Sequence, residues 1–355
     1  MSNSYYLLVD ANHGEYLYYF GSQGMSPTPK GNTPEENVAA MKTFIEGAYR
    51  TALRGVTEDT LSDSTFPGYR RNLQGLGNQL HGLIPDKLKD ATRGMAKGDS
   101  LHIYSTEQIT IPWELIKNGG DFWGQLYVIS NSASEGSARM EPKPWNLELK
   151  KVLNVIGYGV NKEVRSRAKK LFDDLHVQLD IIDGTDRDAT SKFFELLPTA
   201  DLIHFTGHGE IGPNGAYLRI VEAEDDYANF MVTSITSDDL RPGCIIFANA
   251  CQSSGQKKVA RRSIGFGPKF CECGASAFIG TLDLVPSQPA VLFAENFYSR
   301  LFSDDQVVGY QVGKALWSAK QLPSKHEGNP SLAPLLYSLY GNPLGTVKLP
   351  QQPTT

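Results

Sequence analysis

The sequence has 355 residues, no long hydrophobic run, no large excess of one charge and only four cysteines. A membrane-spanning helix needs about 20 consecutive apolar residues. The apolar runs here, such as Cys244–Ala248, are strand-sized, so no membrane role is expected. Met1–Tyr6 has neither a basic start nor an apolar core, and no secretory leader is expected. Lys plus Arg number 34 against 39 Asp plus Glu, a net charge of −5, which argues against a general nucleic-acid binder. Cys244, Cys251, Cys271 and Cys273 fall within 30 residues of each other, unlike a secreted disulfide framework. A soluble, cytoplasmic chain is the expectation. Internal repeats and long low-complexity tracts are also lacking.

What is present is ordinary globular composition, 40% hydrophobic and 21% charged, enough to bury a sizeable core. At about 150 residues per domain the length suggests two domains or one large α/β unit. Two stretches lack periodicity. Val56–Arg71 reads as a surface loop, and Asn131–Pro144, with Glu141-Pro142-Lys143-Pro144, as a boundary. The expected division is an N-terminal α/β region over 1–130, a linker over 131–151 and a catalytic region over 152–350.

The N-terminal region is mixed. Tyr5–Phe20 predicts a strand pair around Asn12-His13-Gly14, and Thr33-Pro34-Glu35-Glu36 a helix start with Thr33 as cap. Leu73, Leu76, Leu80 and Leu83 form a helical stripe that ends at Pro85. Leu101–Tyr104 and Gln125–Ile129 read as strands. After the boundary the rhythm becomes βαβα. Strands are predicted at Val152–Ile156, Val177–Ile182, Leu202–Phe205, Cys244–Ala248 and Ala275–Ile279, with amphipathic segments between and after them. Such alternation implies a mostly parallel sheet with helices on both faces.

Two of these strands end in reactive side chains: Gly207-His208-Gly209 after one, Asn249-Ala250-Cys251 after the other. Open α/β sheets bind ligands outside the carboxyl ends of their strands. If the two strands are neighbours, His208 and Cys251 share a crevice. A thiol becomes a nucleophile when a base lies within hydrogen-bond reach. The flanking glycines permit a sharp turn, and the N–H groups of Gly209 and Cys251 could face a developing oxyanion. The His precedes the Ala-Cys by 43 positions, close to the caspase separation of about 50. Gln252 fits the residue that follows the caspase Cys, whereas Ser253 replaces a Gly.

Five ordered segments give the chain a resemblance to the CHAT domain family, the bacterial caspase- and separase-like cysteine peptidases. They are Ile111-Pro112-Trp113-Glu114-Leu115-Ile116, Gly207-His208-Gly209, Asn249-Ala250-Cys251, Gly274–Thr281 and Tyr340-Gly341-Asn342-Pro343. The resemblance runs from about Leu73 to Pro343 and does not extend to the first 70 residues. It implies a caspase-like α/β fold, His208 as general base and Cys251 as nucleophile, without cofactor or metal. It also implies cleavage of a specific protein partner, an activating protein or sensor partner, and a place in antiviral defence or regulated cell death. The chain departs from the family at Asp283, where Trp is often found; a carboxylate there could favour a basic P1 residue, and a local loop role is the blander reading. The alternative to a peptidase is a catalytically silent scaffold that keeps the fold for protein interaction.

Other chemistries have weaker support. Cys271-Glu272-Cys273 lacks the usual zinc-finger spacing and ends an apolar helix. Gly157-Tyr158-Gly159 follows a strand but lacks the third glycine of a dinucleotide loop. Lys257, Lys258, Arg261 and Arg262 are basic without interleaved aromatics, so direct nucleic-acid contact is not expected. They lie in Gln252–Ser263, read as a loop that a partner could order around the substrate. His204 is read as a core residue or a support for the motif.

Overall fold

The computed structural model describes residues 3–12, 15–23, 25–33, 66–105, 111–133, 145–212, 215–222, 230–250, 256–259, 262–282, 285, 287–303, 310–321, 325–326, 329–330 and 333–350, and all structural statements concern these. The elements that position the site are few. In the N-terminal region they are β1 (Ser4–Asn12), β2 (Glu15–Ser22), β3 (Thr28–Thr33), α1 (Phe66–Leu83), α2 (Asp86–Arg93), β4 (Ser100–Ser105) and β5 (Val128–Ala133). They continue with β6 (Lys151–Ile156), α3 (Lys162–Lys170), β7 (Gln178–Asp183), α4 (Ala189–Leu196), β8 (Leu202–Gly207), β9 (Gly209–Gly212) and β10 (Gly215–Leu218). The last are β11 (Ile245–Ala250), β12 (Gln256–Val259), β13 (Arg262–Gly265), α5 (Phe266–Glu272), β14 (Ala277–Thr281), α6 (Ser287–Leu301), α7 (Val312–Gln321) and β15 (Tyr337–Gly341).

One sheet of 11 strands runs through both regions, in the order β7-β6-β8-β11-β14-β15-β5-β4-β1-β2-β3. It contains two parallel blocks. β7, β6, β8, β11 and β14 run one way. β15, β5, β4 and β1 run the other way, because β15 pairs antiparallel with β14. Carboxyl ends of the two blocks therefore open on opposite edges of the sheet. This is the mostly parallel, helix-covered α/β architecture expected from the βαβα rhythm.

Alternation along the strands feeds a core on each face. Leu202, Ile245 and Phe247 join one apolar cluster with residues of α1, α6 and α7. Ile203, Phe205, Ile246 and Ala248 join a second with Phe193 of α4 and Phe266 and Phe270 of α5. The first cluster reaches from Leu7 and Trp113 to Phe297 and Leu339, so the two regions share a core. A polar tie crosses them too. Buried Glu114, its carboxyl raised by burial, faces the Lys320 ammonium; Lys320 Nζ donates to Tyr337 O at 2.6 Å, and burial pushes it down to about 8.

Local readings are corrected in several places. Residues 66–71 begin α1 instead of closing a loop, since a proline such as Pro67 is tolerated in a first helical turn. Gln125 lies in a short helix, Trp123–Leu126, and the following strand begins only at Val128. Thr33, read as a cap, is the last residue of β3; its Oγ1 lies 3.1 Å from the Tyr18 hydroxyl and 3.2 Å from Leu83 O. The helix expected after it is outside the described residues. Within Gln252–Ser263, residues 256–259 pair with 262–265 as an antiparallel hairpin, so part of that segment has regular structure. Cross-strand hydrogen bonding, which no apolar period announces, makes the difference.

Candidate functional site

His204 and His208 show how one strand builds the floor and rim of a site. His204 is fully buried within β8. Its Nδ1 lies 3.0 Å from Tyr298 Oη and its Nε2 2.9 Å from Thr206 Oγ1. Burial pushes its pKa down to about 3, so it stays neutral and structural. Thr206, next on the same face, lines a cleft at the carboxyl end of the block. Gly207 ends the strand, and His208 follows half-buried on the cleft wall.

The neighbouring strand arrives in register. β8 pairs β11 parallel, with Thr206 opposite Asn249 and Gly207 opposite Ala250. His208 therefore leaves β8 beside the carboxyl end of β11. Cys251 itself lies outside the described residues; one peptide bond joins it to Ala250, about 3.8 Å away at Cα. The end of β11 is held from the β14 and β15 side. Thr281 Oγ1 donates to Ala250 O at 2.6 Å, and the Tyr337 hydroxyl donates to Asn249 Oδ1 at 2.6 Å.

The cleft holds about 170 Å³. Thr206, His208, Asn249 and Ala250 line it from the two strands, Gly159 and Asn161 from the segment after β6, and Thr281 and Val285 from the end of β14. Asp283, also outside the described residues, lies in sequence between those last two. Arg219 N–H donates to His208 O at 2.9 Å. Antiparallel alternation then turns the Gly209 N–H away from β10, whose Leu218 it opposes.

Three other thiols, Cys244, Cys271 and Cys273, lie among the described residues. Burial pushes Cys244 and Cys271 up to about 12 and raises Cys273, whose Sγ lies 3.6 Å from Ile235 O. A thiol so placed stays protonated at neutral pH and is a poor nucleophile. Sequence reasoning passed over the supports Thr206, Asn249, Thr281 and Tyr337. Thr206 carried a signal: it falls two residues from His204 on one strand face. Gly159 carried another: weighed only as a dinucleotide-loop glycine and set aside, it lies against the His208 ring.

Residues 159–322 match the CHAT domain family. This is narrower than the resemblance read from residues 73–343 and leaves Trp113–Leu115 and Tyr340–Pro343 outside. The structure is similar to that of Saccharomyces cerevisiae separase in its complex with securin, at a TM-score of 0.61 and 11% identity over 98% of this chain. The chain spans 30% of that separase chain. A second separase–securin structure gives a TM-score of 0.58 at 12% identity, over 97% of this chain and 30% of that one. The Arg-specific cysteine proteinase gingipain R shows a TM-score of 0.45 at 12% identity, over 87% of this chain and 76% of that one. No curated protein sequence matches. The fold is thus similar to that of separase. Among the described residues no helix is long and apolar enough to cross a membrane.

Proposed function

We propose that this chain is a cysteine endopeptidase in which His208 acts as general base and Cys251 as nucleophile. The observation that carries the reading is the register of β8 and β11, Gly207 opposite Ala250, beside the cleft. In this reaction His208 takes the Cys251 proton and the thiolate attacks the scissile carbonyl. The Gly209 and Cys251 N–H groups stabilise the tetrahedral oxyanion. The imidazolium then returns the proton to the leaving amine, and water hydrolyses the thioester by the same relay. The substrate is a protein, and Asp283, next to the cleft in sequence, favours a basic P1 residue.

The CHAT match supports a role in signal-activated bacterial defence or cell death. An activating partner would order the hairpin segment after Cys251, with residues 1–130 as the regulatory half. A ligand can shift such an equilibrium only by binding the competent state more tightly. The test is to incubate the purified chain and its Cys251→Ala variant with a proteome-derived peptide library and to read new N-termini by mass spectrometry. New termini that depend on Cys251 support the peptidase. A library left uncut by a wild type whose Cys251 also fails to react with a thiolate-directed probe favours the silent scaffold instead.

A further inference from the structure

The segment between β6 and α3, residues 157–161, forms one wall of the cleft and touches the His208 ring. Gly159 has φ +82, and a Cβ placed there would lie 2.9 Å from His208 Nε2 and 3.1 Å from Cδ2. The imidazole therefore lies against bare backbone with no room for a side chain between them. The backbone is fixed from below. Arg165, in the first turn of α3, donates from NH2 to Gly157 O at 3.3 Å and to Val160 O at 3.4 Å. These two carbonyls bracket Gly159. The other terminal nitrogen of the guanidinium, NH1, pairs with Asp183 Oδ1 at the end of β7. Asp183 is anchored in turn by Lys169 Nζ at 2.8 Å, Thr185 N–H at 3.1 Å and Thr185 Oγ1 at 2.8 Å. The Asn161 side chain caps α3 by accepting from Val164 N–H at 3.0 Å.

A simple ion pair fastening α3 to β7 would use one end of the guanidinium. Here the second nitrogen reaches across to the loop, and a planar fork can hold both partners at once where an ammonium cannot. We propose that Arg165 is a positioning residue for His208: braced on Asp183, it holds residues 157–160 as a fixed wall that sets the imidazole toward Cys251. This rests on the Cys251–His208 reading above. A displacement of about 1 Å in such a group can cost about a hundredfold in rate, so a rigid wall has a direct kinetic consequence.

The test needs no substrate. Purified full-length chain is alkylated with iodoacetamide between about pH 5 and 9, and modification of the Cys251 peptide is followed by mass spectrometry. An imidazole-paired thiolate reacts well below the usual thiol pKa of about 8.5. Wild type is expected to show this low-pH reactivity and His208→Ala to lose it. Arg165→Lys keeps the charge opposite Asp183 but not the fork, and it is expected to lower Cys251 alkylation near pH 6 about tenfold while leaving the thermal midpoint little changed. Gly159→Ala acts on the exposed loop without touching the ion pair, and the same loss is expected. Should Arg165→Lys fail to fold, Asp183→Asn, which weakens the brace without touching the His208 ring, carries the test and is expected to show the same loss. Folded variants that alkylate with the wild-type pH profile, while His208→Ala does not, would overturn the positioning role and leave the dyad standing. Wild type indistinguishable from His208→Ala at every pH would overturn the dyad and the positioning role with it.

Discussion

The two parallel blocks of the sheet each bury a histidine within a strand, yet their strands deliver different chemistry. In the N-terminal block His102 on β4 bonds through Nδ1 to Ser130 Oγ, and its Nε2 lies 3.1 Å from Ser132 Oγ on β5. In the C-terminal block His204 does the same with Tyr298 and Thr206. Both rings have their two nitrogens occupied, and burial pushes both pKa values down to about 3. The C-terminal block adds a second histidine four residues on, past Gly207, where the strand has ended and a cleft begins. A histidine inside a strand is spent on the fold, whereas the one just beyond its carboxyl end lines the cleft. Because the blocks run antiparallel, only one set of carboxyl ends opens on this cleft.

The largest expected effect breaks that comparison directly. His208→Ala should lower turnover at least about a thousandfold, since the residues of such a unit act together. His102→Gln should leave turnover per folded molecule unchanged, and steady-state assays on samples of equal folded fraction measure both. Comparable losses in both variants would mean that the blocks divide the chemistry differently.

The shared core comes next. Trp113, in the N-terminal region, is 2% exposed and Phe247, on β11, is fully buried. Truncating either to Ala should cost about 3–5 kcal/mol. Urea unfolding should show a single transition moved to lower urea in both variants. Two transitions, each sensitive to one substitution only, would separate the blocks into independent units.

A smaller effect treats the blocks alike. Each buried histidine has a folded-state pKa of about 3, below the unfolded value of about 6.5. The unfolded chain binds their protons first, so stability is full above about pH 6.5 and falls as pH drops toward 3. Calorimetry should show the thermal midpoint falling over that window. His102→Gln and His204→Gln should each flatten the slope, and an unaltered slope in either would mean that its histidine is not held neutral. The smallest effect belongs to Asp283→Ala, which should reduce cleavage after Lys or Arg by about tenfold or less relative to uncharged residues. P1 profiling that shows no basic preference in wild type would remove Asp283 from the site.

The C-terminal block was readable in the sequence because its signals are local. Buried strands such as Val152–Ile156 and Leu202–Phe205 are short runs that are apolar at all but one position, and Gly-His-Gly and Asn-Ala-Cys follow two of the buried strands. The N-terminal block was less readable. Nothing near Tyr337–Gly341 announces that β15 inserts antiparallel beside β14, yet that pairing reverses the whole second block. The β12–β13 hairpin and the Arg165 clamp were likewise hidden, since each depends on partners that only the folded chain brings together. Gly157-Tyr158-Gly159 was weighed only as a dinucleotide loop and set aside, whereas Gly159 serves close approach to His208 and Gly157 close approach to the Arg219 carbonyl.

The most direct measurement of the central claim is to ask which cysteine reacts as an enzyme nucleophile. A peptidyl acyloxymethyl ketone, which needs an activated thiolate, is incubated with the purified chain and the site of attachment is mapped by peptide mass spectrometry. The account predicts labelling at Cys251 alone, abolished by His208→Ala, with Cys244, Cys271 and Cys273 unmodified. Labelling of Cys251 that persists undiminished in His208→Ala, or label carried by any of the other three, would contradict it.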